Sequence, residues 1–264
     1  MQLRRDLSPR QVAAVDGWLW IREGFRLFRK SPLVWVASFF VCVVAAYLAT
    51  LIPFVGPLLV ELLSPVVIAG FMMGCWALAQ GEPTLRPRHL LAGFQGGGGQ
   101  LVAVGGAYLV GMIVISKLVA LMGGSELERF TAFKTGAELF AALNAASWTH
   151  LVRGLLLPAL ALLLLEIPLA MATWFAPALV LFDGQDALTA MKLSFRGCLR
   201  NIPAFLLYGV ISFACTVLAM ITGILLLVLG PVLIGSFYAG YCDVFGVPER
   251  PSPELEAARR VTPG

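Results

Sequence analysis

The chain is predicted to be an all-α, polytopic membrane protein with six transmembrane helices, and three observations carry that prediction. Of 264 residues, 59% are hydrophobic and 13% charged, with a mean hydropathy of +0.87, whereas a soluble domain carries roughly 25% charged residues. The apolar residues gather into six runs, each of about twenty positions, enough for a helix to cross a hydrocarbon core of roughly 30 Å. The third observation is a repeat: residues 16–31 (DGWLWIREGFRLFRKS) overlie 186–201 (DALTAMKLSFRGCLRN) without a gap at an offset of 170.

Composition narrows the partners. The net charge is +4, but the cations flank apolar runs instead of patterning the face of a soluble fold. Membrane headgroups, chiefly anionic ones, are therefore the expected counter-charge, and nucleic acid is not an expected partner. The five cysteines (Cys42, Cys75, Cys198, Cys215, Cys242) are an odd number without C-x-x-C spacing. All lie in or beside apolar segments, where a thiol serves as a small hydrophobe, so no cofactor is expected. Arg4, Arg5 and Arg10 are not followed directly by an apolar stretch, which makes the first span, not a cleavable leader, the expected insertion signal.

The elements follow in order. Ser8, Pro9 and Gln11 have the spacing of a helix start, from which the first basic helix is predicted to run to Lys30. Span one covers 33–52. A turn at Pro53 and Gly56-Pro57 leads to span two at 57–80, and the glycines 96–99 lead to span three at 99–121. Ser125 and Glu128 have capping-box spacing, and Leu127, Phe130, Phe133, Ala137 and Phe140 recur at helical intervals, which predicts a surface helix over 126–142 on the opposite membrane face. Span four, 154–182, holds Pro158, Pro168 and Pro177 and is predicted to kink. Asp186 is placed to cap the second basic helix, and spans five (204–228) and six (230–246) complete a single integral membrane domain over 1–247. Its repeats fall at 16–80 and 186–246, and the polar cytoplasmic tail at 248–264 is expected to be mobile.

The two basic helices align Asp16 with Asp186, Phe25 with Phe195, and cations at Arg22/Lys192, Arg26/Arg196 and Lys30/Arg200. Cations at i, i+4 and i+8 share one helical face. Trp18, Ile21, Phe25 and Phe28, and in the other helix Leu188, Met191 and Phe195, are expected on an apolar face, so each helix should lie in the interface and feed a span. A second block extends the repeat, with PVVIAGFMMG (65–74) over PVLIGSFYAG (231–240) at an offset of 166. An even number of intervening spans makes the repeat parallel. Gly70-x-x-x-Gly74 and Ser236-x-x-x-Gly240 have the spacing of close helix packing, as an intramolecular seam or a dimer face. Fifteen Lys and Arg fall on the side of the termini, the loop 81–96 and the segment 183–201, and four on the other. That excess places both termini in the cytoplasm.

The lipid-headgroup candidates are accordingly Arg22, Arg26, Arg29, Lys30, Lys192, Arg196 and Arg200, each attracted to an anionic leaflet by about 1 kcal/mol; the competing reading is that they only set topology. Three ionisable residues fall at membrane depth: Glu61, Lys117 and Glu166. Glu61 and Lys117 are expected near the non-cytoplasmic edge, where they would pair. Glu166 lies about twelve residues into span four, roughly 18 Å along the helix and so near the midplane, either as an ion or proton site or as a packing carboxyl. His89 and His150 are expected on opposite sides of the membrane, H-E-x-x-H and G-x-S-x-G are absent, and no Gly-Lys-Ser/Thr follows the glycine run. No catalytic, cofactor-binding or metal-binding residue is assigned.

The combination GWLWIREGFRLFRKSPLVW, IPFVGPLLVELLSPVVIAGFMMGC and HLLAGF resembles a family of six-span integral membrane proteins of beta-proteobacteria with no assigned reaction. The segment FAPALVLFDGQDALTAMKLSFRGCLRN is similar to the membrane domain attached to some bacterial glycerophosphodiester phosphodiesterases, although the catalytic domain of those enzymes has no counterpart in this chain. These resemblances imply a membrane fold and a place near lipid. The expected role is non-enzymatic: a multi-pass protein of the bacterial inner membrane that interacts with lipid or serves as an accessory subunit, with other membrane proteins or a second copy as further partners. The alternative is a small transporter or channel using Glu166 at the proline-bearing helix.

Overall fold

The computed structural model describes residues 7–95, 97–121, 156–223 and 225–246. The surface helix expected at 126–142, His150 and the tail from Pro248 lie outside them. Among the described residues helix is the only extended regular structure: α1 (Asp16–Arg29), α2 (Pro32–Thr50), α3 (Val55–Ala79), the short α4 (Pro87–Leu90) and α5 (Ala92–Gln95), α6 (Gly98–Leu121), α7 (Leu157–Trp174), α8 (Ala176–Asp183), α9 (Ala187–Arg200), α10 (Ile202–Thr222) and α11 (Leu226–Phe245). Six segments are long and apolar enough to cross a membrane: α2, α3, α6, α7 with α8, α10 and α11. Their apolar residues run all round the helix, as a lipid-immersed helix requires, whereas α1 and α9 are apolar on one side only.

Two boundaries differ from the sequence prediction, and a third narrows it. Residues 8–13 are not helical, because their backbone is claimed from outside: Arg10 N donates to Val244 O at 2.8 Å and Val12 N to Asn201 Oδ1 at 2.8 Å. Span four is interrupted, as expected, at one of its three prolines: it passes through Pro168 as helix and breaks at Phe175, just before Ala176-Pro177. Span five ends at Gly223, whose φ of +65° closes the helix, so Gly230 and Pro231 stay inside α11.

The chain divides into two compact units, 1–105 with 171–264, and 106–170. In the smaller unit Gly111 lies against the side chain of Leu169, where an added Cβ would come within 2.7 Å. The larger unit holds the core. Trp35, Phe71, Phe175, Tyr238 and Tyr241 are fully buried there, and Trp174 meets Phe237 at 4.6 Å between ring centroids.

Within that unit the twofold repeat gains a third member. Gly93-Phe94 in α5 echoes Gly24-Phe25 in α1 at an offset of 69, and the same offset carries Ser31 to Gln100. The three helices dock alike. Gly24 lies against Val232 O and Ser236 N of α11, Gly93 against Val66 O of α3, and Ser194 in α9 hydrogen-bonds Met171 O and Phe175 N at the α7–α8 junction. Each helix thus sits on the second span of the preceding module, and α1 closes the series on the last.

One hydrogen bond recurs with the same cyclic order. Ser31 Oγ accepts from Leu85 N (3.3 Å), Gln100 Oε1 from Ala187 N (2.8 Å) and Asn201 Oδ1 from Val12 N (2.8 Å). In every case the polar residue after one module's short helix, at offsets of 69 and 170, holds the backbone leading into the next module's helix.

Candidate functional site

The basic helices α1 and α9 are built to the same plan. Burial matches across the offset of 170 at Trp20/Ala190, Gly24/Ser194, Leu27/Gly197, Phe28/Cys198 and Ser31/Asn201, and exposure matches at Arg22/Lys192, Arg26/Arg196 and Lys30/Arg200. The apolar residues divide between the two sides, with Ile21 and Phe28 buried. Trp18 and Phe25 of α1, and Leu188 of α9, are 45%, 47% and 62% exposed, because Gly17, Gly24 and Ser194, not the large residues, face the neighbouring backbone. Small side chains allow close approach, so they set which face turns inward. The displaced aromatic and aliphatic residues lie outside beside the cations, as on an interfacial helix.

The α9 helix starts where Asp186 Oδ1 accepts from Thr189 N at 3.0 Å; hydrogen bonds from the Thr189 side chain and then its backbone hold the exposed carboxyl below its ordinary range. Asp16 does not repeat this cap; its Oδ2 accepts from Ala13 N at 2.7 Å, one residue before the αR turn into α1. Along α9, Ser194 Oγ accepts from Phe175 N at 2.9 Å and donates to Met171 O at 2.6 Å, so one hydroxyl satisfies both sides of the break before Pro177. Burial pushes the Cys198 thiol up to about 12, and its Sγ lies 3.6 Å from Met171 O.

The cations of the two helices are engaged differently. Arg26 pairs with Glu23, with Nε 2.7 Å from Oε2, and the Lys30 ammonium donates to Leu78 O at the C-terminal end of α3. In α9 the position of Glu23 is taken by Leu193, and Lys192, Arg196 and Arg200 have no acidic partner among the described residues. Lys192 and Arg196 rim a cleft of about 300 Å³ whose remaining lining is Ala172, Leu188, Met191 and Phe195. Two cations therefore stand at the edge of an apolar cleft. Arg22, Arg29 and Arg200 are exposed.

The other candidates are dispersed. Gly70 meets Leu90 and Gly74 meets Leu85, both from the segment around α4. Ser236 Oγ lies 2.8 Å from Tyr208 Oη and donates to Leu233 O, while Gly240 faces Trp20 and Phe175. Glu61 is exposed in α3, Lys117 is exposed in α6 within the smaller unit, and Glu166 is half-buried in α7 of that unit. His89 is buried, its Nδ1 accepting from Arg86 N at 3.3 Å; burial holds it below its ordinary 6.5 against the pull of Glu82, 3.5 Å from Nε2.

Sequence reasoning missed the third short helix and the polar residues that follow the helices. The signals were the Gly-Phe pair at 93–94 and the shared offset of Ser31, Gln100 and Asn201. They are faint because α5 lacks the cations that made the other two modules visible.

The chain is 34% identical, over 267 aligned positions covering 93% of this chain and 96% of the other, to a probable inner membrane protein of Burkholderia thailandensis. No family model matches the chain. No solved structure matches it.

Proposed function

Because the chain belongs to the same family as that probable inner membrane protein, whose length it covers almost fully, we propose that it is a non-enzymatic lipid-interacting or accessory protein of the bacterial inner membrane. Both termini are cytoplasmic in this reading, which rests on the fifteen-to-four excess of Lys and Arg. The carrying observation is the cleft where Lys192 and Arg196 overhang Leu188, Met191 and Phe195. A phospholipid offers the complement, an anionic phosphate above an acyl chain. The exposed cations of α1 add a second basic strip beside Trp18 and Phe25. The resemblance of residues 175–201 to a membrane domain of phosphodiesterases also fits a place near lipid.

The test is lipid retention by the purified protein, read by native mass spectrometry from mixed phosphatidylglycerol and phosphatidylcholine. Replacing Lys192, Arg196 and Arg200 by Gln is expected to lower the preference for the anionic lipid by about tenfold to a hundredfold, from about 1 kcal/mol per cation before screening. The matching change of Arg22, Arg26 and Lys30 is expected to act in the same direction but less, since Arg26 and Lys30 already have protein partners. An unchanged lipid preference in both variants rejects the reading.

A second reading, a small transporter or channel, is supported by Glu166, a half-buried carboxyl two residues before Pro168 in an apolar helix. Flux into proteoliposomes that disappears in Glu166→Gln supports it; absence of flux with the wild-type protein removes it.

A further inference from the structure

A second cavity, separate from the basic helices, has a different chemistry. It occupies about 300 Å³ and is lined chiefly by Met73 and Trp76 near the end of α3, Phe182 and Asp183 at the end of α8, and Tyr238 and Tyr241 near the end of α11. The three helices are the second spans of the three modules, and they meet here through residues within about two turns of their C-terminal ends. Asp183 is the one charged residue of the lining and has no cationic partner among the described residues. Tyr241 Oη donates to Asp183 Oδ2, which orients the carboxylate and leaves Oδ1 to accept.

The aromatic side chains are ordered around that carboxylate. Phe182 stacks on Tyr241 with centroids 5.6 Å apart and 23° between planes, and meets Tyr238 edge-on at 6.1 Å. Trp76 is 41% exposed, leaving its indole accessible at the mouth. Indole and phenyl rings beside one carboxylate favour an organic cation over an inorganic one: ring quadrupoles attract a diffuse positive charge, and the apolar surface accepts its methyl or methylene groups. The volume is at the lower end for small-molecule sites, which restricts the ligand to a compact group.

We propose that the cavity between α3, α8 and α11 binds an alkylammonium group, with Asp183 as its counter-charge, Trp76 and Phe182 as its aromatic walls, and the buried Tyr238 and Tyr241 holding Phe182 and Asp183 in place. The group belongs either to a soluble amine or to the headgroup of an ethanolamine or choline lipid. This site is independent of the phosphate-binding cations proposed above, because it shares no lining residue with them.

The full chain in nanodiscs of phosphatidylglycerol alone, titrated calorimetrically with ethanolamine, choline and the uncharged carbon isostere of choline, tests the assignment. Saturable binding of an ammonium compound but not of the isostere is expected. Asp183→Asn should abolish that binding, and Trp76→Leu should weaken it by about tenfold. Since Trp76 is partly exposed, its variant keeps the test informative if Asp183→Asn does not fold. No saturable binding of either ammonium compound to the wild-type protein, equal binding of the isostere, or full binding by Trp76→Leu overturns the proposal. Adding phosphatidylethanolamine to the discs identifies the source: loss of ethanolamine binding means that the headgroup occupies the cavity, and unchanged binding means a soluble cation. Because the discs already contain anionic lipid, failure here leaves the Lys192–Arg196 result untouched.

Discussion

Helices α1 and α9 share a sequence pattern, a buried face and a row of cations, yet they are fastened by different means. At position 24 the residue is Gly, and the backbones of α1 and α11 come together: Gly235 faces it, with an added Cβ at Gly235 only 2.9 Å from Gly24 Cα. At the equivalent position 194 it is Ser, and the hydroxyl bonds across a helix break. One position thus asks only for a small side chain, and the partner helix decides whether that smallness serves close packing or a hydrogen bond. Where the partner is continuous, glycine suffices; where Pro177 interrupts it, an acceptor and donor are needed. In a membrane an unpaired amide near the hydrocarbon is costly, which explains why the break is matched with a hydroxyl.

Several substitutions break or sharpen this contrast. Gly24→Leu is expected to be the most damaging, because its Cβ would collide with Val232 O and Ser236 N; a loss of about 3 kcal/mol or more is expected, measured by thermal unfolding in detergent and by protease resistance. Ser194→Ala should be less harmful, about 1–3 kcal/mol, since the fold is kept but Phe175 N–H and Met171 C=O lose a partner. A fall as large as that of Gly24→Leu would show that the hydroxyl is more than a stitch.

Asn201→Ala removes bonds to Val12 N and Arg10 O. It should cost about 1–2 kcal/mol and speed hydrogen exchange at Val12, while the equivalent Ser31→Ala, which loses one bond at 3.3 Å, should affect only Leu85 and by less. The smallest effect concerns His89. Its imidazole is held below 6.5 by burial, so the fold favours the neutral ring. Its contribution is present above 6.5 and declines as pH falls from there toward the lowered value. The protection factor for exchange at Arg86 should therefore fall in mild acid in the wild-type protein and not in His89→Gln.

The membrane class was legible because twenty-residue apolar runs have few alternatives. The basic modules were legible because charge and spacing coincide at Arg22, Arg26 and Lys30 and again at Lys192, Arg196 and Arg200. The face that packs on the neighbouring helix was not legible, because periodicity marks Trp18 and Phe25 as apolar without saying whether lipid or protein covers them, whereas close helix contact selects Gly17 and Gly24. The N-terminal segment was misjudged because Ser8-Pro9 is a valid local helix start, and the bonds that override it come from Val244 and Asn201, more than 180 residues away. The ammonium cavity had no sequence signature, because Trp76, Asp183 and Tyr241 are brought together only by three separate helix ends.

The closure of α1 on α11 also has a consequence in time. Helix α1 is synthesised well before α11, on which Gly24 docks, and the Arg10 guanidinium holds Asp243 O across a separation of 233 residues. Until that span has been inserted, Gly24 lacks the backbone it packs against and Trp20 has only Phe205 and Tyr208 of α10 beside it, and the nascent helix must wait at the bilayer boundary, where its exposed arginines can hold it. Truncating the message before α11 should leave an N-terminal arm that protease removes readily, while the full-length product resists.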